Sequence, residues 1–588
     1  MNFQKQGSDP GEQKRLILAV ALSAAVLLLW QLLVPRQPPV APAEAPGSVA
    51  SGAPGSAAPG SVAAGSPGSA GAAAPASVAI ERRIIAKLAS EGRQTVALTN
   101  DDGQLATWDL EEAQYRDPGE TKDKTVAHRM MRTLDANEAS KGFFLPPRLE
   151  LELAGRPIRG DYTLVEQADR KVTLAYTDAS GVKITRIWEL AADDYTIAMR
   201  LVLENLGGAS VPYALSASVP GVQNDSEAGG SMFSPPVYAF KALCQHPEDF
   251  EHQAVSEVLS NQADPDEPKA WASAAWAGVD NRYFMSAVLP KAGEAETCSF
   301  AAGSAVPNAP TLPAGYSLVV AGLKFKGGEI PAGGRVERAV TFYVGPKKLD
   351  ALKAQTPSLE ETVDLGWFPI IGLPMLWLMQ VFYGFIANWG LAIILLTIVV
   401  KLLTLPLTHK QYKSMAAMKK LQPELKALQT KYAEDKPRLQ QEMMKLYKEN
   451  KVNPLAGCLP MLLMMPIYVS LYQTIYSAVE LYRADFVFWI KDLSERDPYF
   501  VWPALLGILF FVQMRLNPSM SDNPQQKIIM NIMPIMFTAM MLFLPSGLVI
   551  YIFVNTVLGL VQQLVLYKKE AEQQPTPPPA GAARRRAA

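Results

Sequence analysis

A single lysine interrupts one of the longest apolar runs in the chain. Lys401 lies within AIILLTIVVKLLTLPL, a stretch with the composition of a membrane span. A charge inside a span is costly and commonly marks a functional site. Lys401 is also only six residues, about 9 Å, from the end of the run at Leu407, so its ammonium could simply reach the membrane surface. The residue types leave both interpretations open, and Thr397, Tyr551 and Asn555 could line a polar cavity beside this lysine.

Cysteine and histidine, which often hold metals or act in catalysis, are few and irregularly spaced. Cys244, Cys298 and Cys458 fit neither a zinc motif nor a disulfide-rich scaffold. His246 and His252 lie near Cys244 in a polar stretch that allows a metal site or a solvated loop, and the loop is favoured. Phosphate-binding glycine motifs and zinc-protease motifs do not occur in the sequence. We therefore predict no metal, no cofactor and no enzymatic activity.

Lys401 belongs to one of six apolar stretches that are candidates for membrane spans of about 20 residues. The first covers residues 16–34 and allows two interpretations, an uncleaved anchor or a signal peptide. Its length and the prolines that follow it favour the anchor. The other five stretches cover residues 377–407, 455–479, 500–514, 528–544 and 548–566.

The distribution of lysine and arginine predicts how these spans are oriented. Residues 409–451 include eleven basic and five acidic residues, and basic residues also precede the first span and follow the last. Since short loops rich in lysine and arginine stay in the cytoplasm, both termini and the 409–451 segment are predicted to be cytoplasmic. Residues 35 to about 360 are then exported. The formal charge of the whole chain is −1, which gives no reason to expect a nucleic-acid partner.

The exported part divides into a linker and a folded domain. Residues 37–79 are almost only Ala, Pro, Gly, Ser and Val, a composition that cannot build a core and predicts disorder. From about 80 to 345 apolar and polar residues alternate, as in RLELEL at 148–153 and KVTLAYT at 171–177. DDG at 101–103 lies between two such runs and suits a hairpin turn. We predict an antiparallel β-sandwich, with a binding or scaffolding role favoured over an enzymatic one. Cys244 and Cys298 both fall in this exported domain, and the sequence leaves a disulfide between them open.

The cytoplasmic segment has the pattern of two antiparallel helices. Apolar residues recur every three or four positions over 415–432 and again over 439–446, so each helix has one apolar stripe. Pro423 should kink the first helix, and Asp435 or Lys436 could cap the second. Two interpretations stay open, a pair packed on itself and a basic docking arm for a ribosome or targeting receptor. The basic residues of such an arm are Lys413, Lys419, Lys420, Lys426, Lys431 and Arg438.

Several long blocks of sequence between residues 388 and 567 resemble the YidC membrane-protein insertase family. The blocks are NWG at 388–390, LPLTHKQYKSMAAMKKLQPELKALQ at 405–429, QEMMKLYKENKVNPLAGCLPMLLMMPIY at 441–468, DPYF at 497–500, QQKIIMNIMPIMF at 525–537 and FLPSGLVIY at 543–551. The first span, the linker and the exported sandwich resemble the Gram-negative branch of the family by their layout.

The resemblance implies a five-helix core with a hydrophilic groove that is open to the cytoplasm and to lipid. Lys401 would supply the single positive charge of that groove, and Thr397, Tyr551 and Asn555 would line it. Gram-negative members usually carry arginine at this position; lysine keeps the charge but lacks the paired contacts of a guanidinium. Apolar client segments would slide out along the third and fifth spans, beside residues that suit varied apolar partners: Met464, Met465, Pro466, Met536 and Met540.

The resemblance also implies a function without bond chemistry. The chain would insert and help to fold nascent inner-membrane proteins, alone or with the Sec translocon and its accessory subunits. The ribosome would meet the cytoplasmic hairpin and the basic tail, and membrane lipids would surround the core. The location implied is the bacterial inner membrane, crossed several times, with a large periplasmic domain.

The predicted fold class is a multi-domain membrane protein with an α-helical core, an exported all-β sandwich and a cytoplasmic helical hairpin. In chain order we expect a cytoplasmic segment and first transmembrane helix (1–36), a disordered linker (37–79), the periplasmic β-sandwich (80–345), an amphipathic connection (346–376), the second transmembrane helix (377–408), the cytoplasmic hairpin (409–451), transmembrane helices three to six (452–566) and a basic cytoplasmic tail (567–588).

Two other classes of protein share some of these features. A secondary transporter would also have an intramembrane charge and helices broken by proline, but it would usually show repeats of its span pattern. No such repeat relates residues 377–479 to 500–566. A membrane-anchored periplasmic glycan-binding protein would not need five clustered spans. Depletion of the protein separates the three, through defects in membrane-protein insertion, solute uptake or the envelope glycan.

Overall fold

The computed structural model describes residues 80–118, 125–131, 142–192, 194–228, 239–263, 270–306, 309–432, 435–450, 459–516 and 524–572. The predictions for the first span, for the 37–79 linker, for Cys458 and for the tail beyond residue 572 lie outside these residues.

Alternating apolar and polar residues form the strands of the exported domain. RLELEL is a strand over Arg148–Leu153 with every second residue buried, and KVTLAYT is a strand over Lys171–Thr177, both as predicted. The 101–103 turn joins two antiparallel strands, with Asp102 and Gly103 at φ of 55° and 57°. The strands are β1 Ile84–Ser90, β2 Gln94–Thr99, β3 Leu105–Leu110, β4 Asp117–Pro118, β5 Thr125–Val126, β6 His128–Met131, β7 Phe143–Phe144, β8 Arg148–Leu153, β9 Arg156–Pro157, β10 Thr163–Ala168, β11 Lys171–Thr177, β12 Val182–Leu190, β13 Thr196–Asn205, β14 Val211–Asn224, β15 Lys241–Gln245, β16 Phe250–Ala254, β17 Ala270–Ala272, β18 Trp276–Asp280, β19 Phe284–Pro290, β20 Ala295–Ala302, β21 Tyr316–Phe325, β22 Gly328–Ile330 and β23 Arg335–Pro346.

These strands form two large sheets that face each other across one apolar core. The first sheet has the order β1-β2-β3-β6-β7-β14-β21-β20-β17, with β8 and β22 also paired to β14 and β9 paired to β8. The second has the order β10-β11-β12-β13-β23-β19-β18-β15-β16, and β4 pairs with β5 separately. Residues from both sheets, including Trp108, Trp188 and Trp276, are fully buried in the shared core. The predicted β-sandwich is therefore confirmed.

A disulfide joins the two sheets. Cys244 lies on β15 of the second sheet and Cys298 on β20 of the first, their Cα atoms are 6.3 Å apart, and both side chains are fully buried. This separation is within the range that a disulfide requires. The bridge that the sequence left open is present in the structure.

The remaining residues after β23 are mainly helical. The helices of the described residues are α1 Asp225–Ala228, α2 Val255–Ala263, α3 Leu349–Lys353, α4 Pro369–Ile386, α5 Trp389–Lys420, α6 Gln422–Lys431, α7 Lys436–Glu449, α8 Leu459–Ser477, α9 Val501–Leu516, α10 Pro524–Met541 and α11 Ser546–Glu572, with short 3-10 helices at Gly303–Ala305, Glu360–Thr362 and Val479–Leu481. By length and composition α4, the Trp389–His409 part of α5 and the Ser546–Leu566 part of α11 are apolar enough to cross a membrane, and α9 is a shorter apolar helix.

The first helix boundary of the membrane core differs from the sequence prediction. A single span was expected over 377–407 after an amphipathic connection over 346–376, but the chain forms α4 and α5 with a break between them. Ala387 adopts a left-handed conformation with φ of 53°, which ends α4. The Asn388 side chain then accepts a hydrogen bond from the Leu391 amide at 3.0 Å and caps α5.

The predicted helical hairpin consists of α6 and α7. Helix α5 ends at Lys420, and Pro423 lies in the first turn of α6, where it replaces the predicted kink by a break. The Asp435 carboxylate accepts a hydrogen bond from the Arg438 amide at 3.1 Å and caps α7, as the sequence suggested. Leu421, Leu425 and Tyr447 form a small buried cluster between the two helices, so the self-packed interpretation of the hairpin is correct at this cluster.

The loop between α8 and α9, residues 478–497, joins the helical core to the sandwich. Val479 and Tyr482 are buried as part of the sandwich core, and the Tyr482 ring packs edge-on against Phe284 with centroids 5.2 Å apart. The Arg483 guanidinium donates to the backbone carbonyl of Tyr115 at 3.1 Å and forms an ion pair with Asp117. The loop therefore contributes side chains directly to the exported domain.

Candidate functional site

Two helices that run in the same direction bring Lys401 next to Asn555. The Lys401 Nζ is 3.5 Å from the Asn555 Oδ1, so the ammonium donates to the side-chain amide across α5 and α11. Further along the same helices, the Gln562 amide donates to the Thr408 hydroxyl at 2.8 Å. Both pairs are 154 residues apart in sequence, which shows that the two helices are parallel and aligned. The Lys401 and Asn555 side chains, which the sequence suggested could share a polar cavity, are therefore in contact.

Uncharged polar side chains surround the lysine. Tyr468 on α8 lies close to the Asn555 side chain, so three helices meet at this point. Thr397 is buried, and its hydroxyl donates to the Ile393 carbonyl of its own helix at 2.7 Å. Tyr551 is also buried, and within the described residues its hydroxyl has no hydrogen-bond partner. Lys401 and Asn555 are brought together directly, and Thr397 and Tyr551 lie one helical turn before them on the same faces of α5 and α11.

Within the part of the chain that the structure describes, no carboxylate neutralises the charge of Lys401. No carboxylate among the described residues lies within 4.0 Å of its ammonium, and the side chain is half-buried. Partial burial lowers the effective dielectric constant around a charge and strengthens its interaction with an incoming anion. The arrangement is therefore able to attract a negatively charged group that enters between the helices.

The methionine-rich residues are only partly exposed. Met465 on α8 and Met536 on α10 expose 45% and 58% of their surfaces, and Pro466 and Met540 are half-buried. Met464 is only 3% exposed, although the sequence placed it on the surface that contacts clients. Adjacent positions on a helix point about 100° apart, which explains why Met464 and Met465 differ.

The basic residues of the hairpin lie on its surface where the structure describes them. Lys420, Lys426, Lys431 and Arg438 are exposed, and the cations of Lys431 and Arg438 lie 5.3 and 5.5 Å from the centre of the Tyr432 ring. The side chains of Lys413 and Lys419 lie outside the described part of the chain.

Four polar residues extend the site beyond those predicted from the sequence. Tyr468 was not singled out because a tyrosine in an apolar run is an ordinary feature of a span. Thr404, Thr408 and Gln562 were missed as well, although Thr397, Lys401, Thr404 and Thr408 repeat every three or four residues. That spacing places all four on one face of α5 and could have identified the polar face.

The chain combines apolar helices that hold a half-buried cation with a domain of two packed sheets. These features define the class of membrane proteins with a helical core and an exported β-sandwich. Family models match both parts: the 60Kd inner membrane protein model matches residues 381–573 and the YidC periplasmic domain model matches residues 155–378.

Curated relatives cover almost the whole chain. Membrane protein insertase YidC of Anaeromyxobacter dehalogenans (strain 2CP-C) is 37% identical over 578 residues, which is 95% of this chain and 98% of the relative. The protein of the same description from Marinobacter nauticus is 37% identical over 70% of each chain. The chain belongs to the YidC family of membrane protein insertases, which are non-enzymatic inner-membrane proteins with a periplasmic domain.

A solved structure described as an active YidC insertase with its first transmembrane domain resolved is 18% identical to this chain. It covers 83% of this chain and 94% of its own length, with a TM-score of 0.34. The assignment to the family therefore depends on the sequence matches. Family membership excludes the two rival classes, the secondary transporter and the anchored glycan-binding protein.

Proposed function

We propose that the chain inserts nascent membrane proteins by receiving their polar flanks beside Lys401. The observation that carries this proposal is the Lys401–Asn555 contact, a cation held by an amide with no carboxylate partner in the described residues. An acidic or polar flank that enters here exchanges hydrocarbon for polar side chains and water. Since burying an unpaired polar group costs several kcal/mol, such a site lowers the barrier for carrying the flank across the membrane.

The apolar part of the client leaves toward lipid along α8 and α10. Met465 and Met536 support this route because both are exposed, and unbranched methionine adapts to many apolar shapes. Pro466 and Met540 border the same faces, while Met464 is buried. The hydrophobicity of the client segment and the membrane potential supply the driving force.

The topology and the remaining partners are part of the same proposal. Both termini and the hairpin are cytoplasmic, the chain crosses the inner membrane several times, and the sandwich is periplasmic. The exposed cations Lys420, Lys426, Lys431 and Arg438 support docking of a ribosome, whose RNA is polyanionic. The basic tail contributes to the same contact. The chain also acts with the Sec translocon and its accessory subunits, and as a chaperone for helix packing.

Site-specific photo-crosslinking tests the route of the client. A photoreactive residue at Met465 should crosslink to a stalled nascent chain that contains one apolar segment. The matched control is the adjacent Met464, which is 3% exposed and should crosslink weakly. A second control at Val165, exposed on β10 of the sandwich, tests for nonspecific capture. Equal crosslinking from all three positions, or none from Met465 while insertion proceeds, would contradict this route.

A further inference from the structure

A cleft lined by basic and apolar side chains lies on the outer face of the first sheet, and the proposed insertion site in the helical core does not involve it. The cavity has a volume of about 530 Å³, within the range of known ligand sites. Its floor comes from β8, β14, β20 and β21, whose other faces bury their side chains in the sandwich core. Ser216, Ser218, Gly322 and Lys324 of this floor belong to the outward half of their strands, whereas Ala217 and Leu323 belong to the sandwich core.

Strand register arranges the floor in successive rows. Ser216 of β14 lies between Glu150 and Lys324, and two residues further along Ser218 lies between Arg148 and Gly322. The next row on β14 is apolar, with Pro220 beside Val320. Rows two residues apart along a strand are about 6.6 Å apart. The floor thus changes from charged to apolar over roughly 13 Å.

Cations dominate the charged end of this cleft. Arg82, Arg148, Arg159 and Lys324 line the cavity, against a single carboxylate, Glu150. Lys324 forms an exposed ion pair with Glu296 at 3.7 Å, whereas within the described residues no carboxylate lies within 4.0 Å of the three arginines. Burial and the neighbouring charge of Arg148 lower the pKa of Arg82, despite the opposing effect of Asp101. This cluster of like charges favours an anionic partner.

We propose that this cleft binds an extended acidic polypeptide segment, the translocated flank of a client, which lies along β14. This inference rests on the proposed function for the identity of its ligand. An extended chain repeats its side chains on one face at the same spacing as the rows of the floor, so acidic side chains meet Arg148 and Lys324 while apolar ones meet Pro220. Arginine suits this role because its guanidinium pairs well with carboxylates.

Binding of short labelled peptides to the full-length protein in detergent tests the proposal. The probe is a seven-residue fluorescent peptide of alternating pattern, Glu-Ser-Glu-Ser-Leu-Ser-Leu, and the comparison peptide has Lys in place of Glu. The acidic peptide should bind and the basic one should not. Arg148→Ser should weaken binding by about fivefold, the upper end for an accessible ion pair. Arg200→Ser is the matched control, since Arg200 is an exposed arginine on the other sheet that pairs with Glu337.

Equal binding of the two peptides, or unchanged binding by Arg148→Ser, would overturn the inference. Displacement of the acidic peptide by phosphatidylglycerol vesicles at lipid concentrations below the Kd of the peptide would also overturn the inference. The preferred ligand of the cleft would then be a lipid headgroup. Insertion of reporter proteins by Arg148→Ser separates the two proposals. If Arg148→Ser loses peptide binding but inserts reporters normally, the proposed role of Lys401 is unaffected. If substitution of Lys401 leaves insertion unchanged while the cleft still binds the acidic peptide, only the proposed function is contradicted.

Discussion

Lys401 differs from an ordinary buried cation because an amide, and not a carboxylate, holds its ammonium. A carboxylate partner would cancel the charge and leave little for a client to recognise. Asn555 accepts a hydrogen bond from the ammonium and, being uncharged itself, does not neutralise it. The specificity expected from such a site depends on charge more than on shape.

Substitution of Lys401 should therefore change insertion according to the charge of the client's flank. Lys401→Arg should be tolerated, Lys401→Ala should reduce insertion of an acidic-flank reporter by about fivefold or more, and Lys401→Glu should reduce it further by repulsion. The measurement compares two reporters that differ only in flank charge, in cells that depend on each variant at matched protein levels. Lys183→Ala, which removes an exposed cation that pairs with Glu204 on the sandwich, is the control.

Two results would argue against this role of Lys401. Equal insertion of both reporters by wild type and Lys401→Ala would mean that the ammonium only reaches the membrane surface. A uniform defect for both reporters would mean that the lysine hydrates or supports the groove without selecting clients by charge.

Asp117 should make the contact between the sandwich and the 478–497 loop sensitive to acid. Burial alone would raise its pKa, but hydrogen bonds and charges from His128 and Arg483 outweigh burial and lower the pKa to about 2. Relative to an ordinary aspartate, this shift corresponds to roughly 2 kcal/mol of stability. Because the folded-state pKa is lowered, that stability is present above about pH 4 and is lost as the pH falls toward 2.

Hydrogen exchange of the 478–485 amides measures this effect. At neutral pH, Asp117→Asn should lower their protection factors by about tenfold, and lowering the pH should bring wild type toward the variant. Asp109→Asn, which removes an exposed ion pair with Arg129, should change little. Identical protection in wild type and Asp117→Asn would show that the ion pair does not hold the loop.

At the scale of elements, the Cys244–Cys298 disulfide should stabilise the sandwich by joining its two sheets. The bridge closes a segment with a sequence separation of 54, for which loop entropy predicts about 4 kcal/mol. Cys298→Ala should therefore lower the free energy of unfolding of the sandwich by about 2–5 kcal/mol, measured by urea-dependent proteolysis of the full-length protein. Cys458→Ser should leave it unchanged.

Thiol labelling of the denatured protein gives an independent reading of the same bridge. Without reductant only Cys458 should react, and after reduction all three cysteines should react. Reaction of three thiols before reduction would contradict the disulfide.

The strands were the elements most readily predicted, because each buries one face and so requires alternation of residue types. Strands β8 and β11 have the predicted bounds for this reason. The pairing of strands distant in sequence, such as β13 with β23, was not predictable, since alternation specifies a face but not a neighbour. The disulfide was left open for the same reason, because no local pattern gives the distance between two sheets.

The helices show where apolar composition misleads. The break between α4 and α5 lies inside a continuous apolar run, and composition alone merged the two helices. Asn388 before Trp389 was a readable signal, because asparagine is a preferred helix cap. The Lys401–Asn555 contact was anticipated as a polar neighbourhood, but its third member, Tyr468, comes from a helix whose orientation only the fold defines.

At the scale of the whole molecule, the sandwich should be largely dispensable for insertion, since the Lys401 site lies entirely within α5, α8 and α11. Deletion of residues 80–346, with the first span kept, removes every strand of the sandwich. Because no contact of Lys401 is lost, reporter insertion should stay within about twofold of wild type. The measurement is reporter insertion at matched levels of the truncated protein in the membrane. Complete loss of insertion with the truncated protein present would show that the sandwich is required.

The deletion needs one matched variant, because it uncovers apolar side chains of the 478–497 loop. Val479 and Tyr482 lose their burial when the sandwich is absent and would then favour aggregation. The deletion that also carries Tyr482→Ser should accumulate to a higher level and insert at least as well. A lower level for this variant would indicate that Tyr482 supports the helical core itself.

Tyr482 and Arg483 pack against the sandwich although their loop belongs to the helical core, so the sequence of this loop is constrained by both domains. In evolution, a change at Phe284 or Asp117 alters the surroundings of these two residues, so substitutions on the two sides are expected to occur together. Exchange of the sandwich between relatives would then succeed only if residues 478–485 are transplanted with it. The unit of modular inheritance in this chain is accordingly not a continuous stretch of sequence but the sandwich together with a short piece of the membrane core.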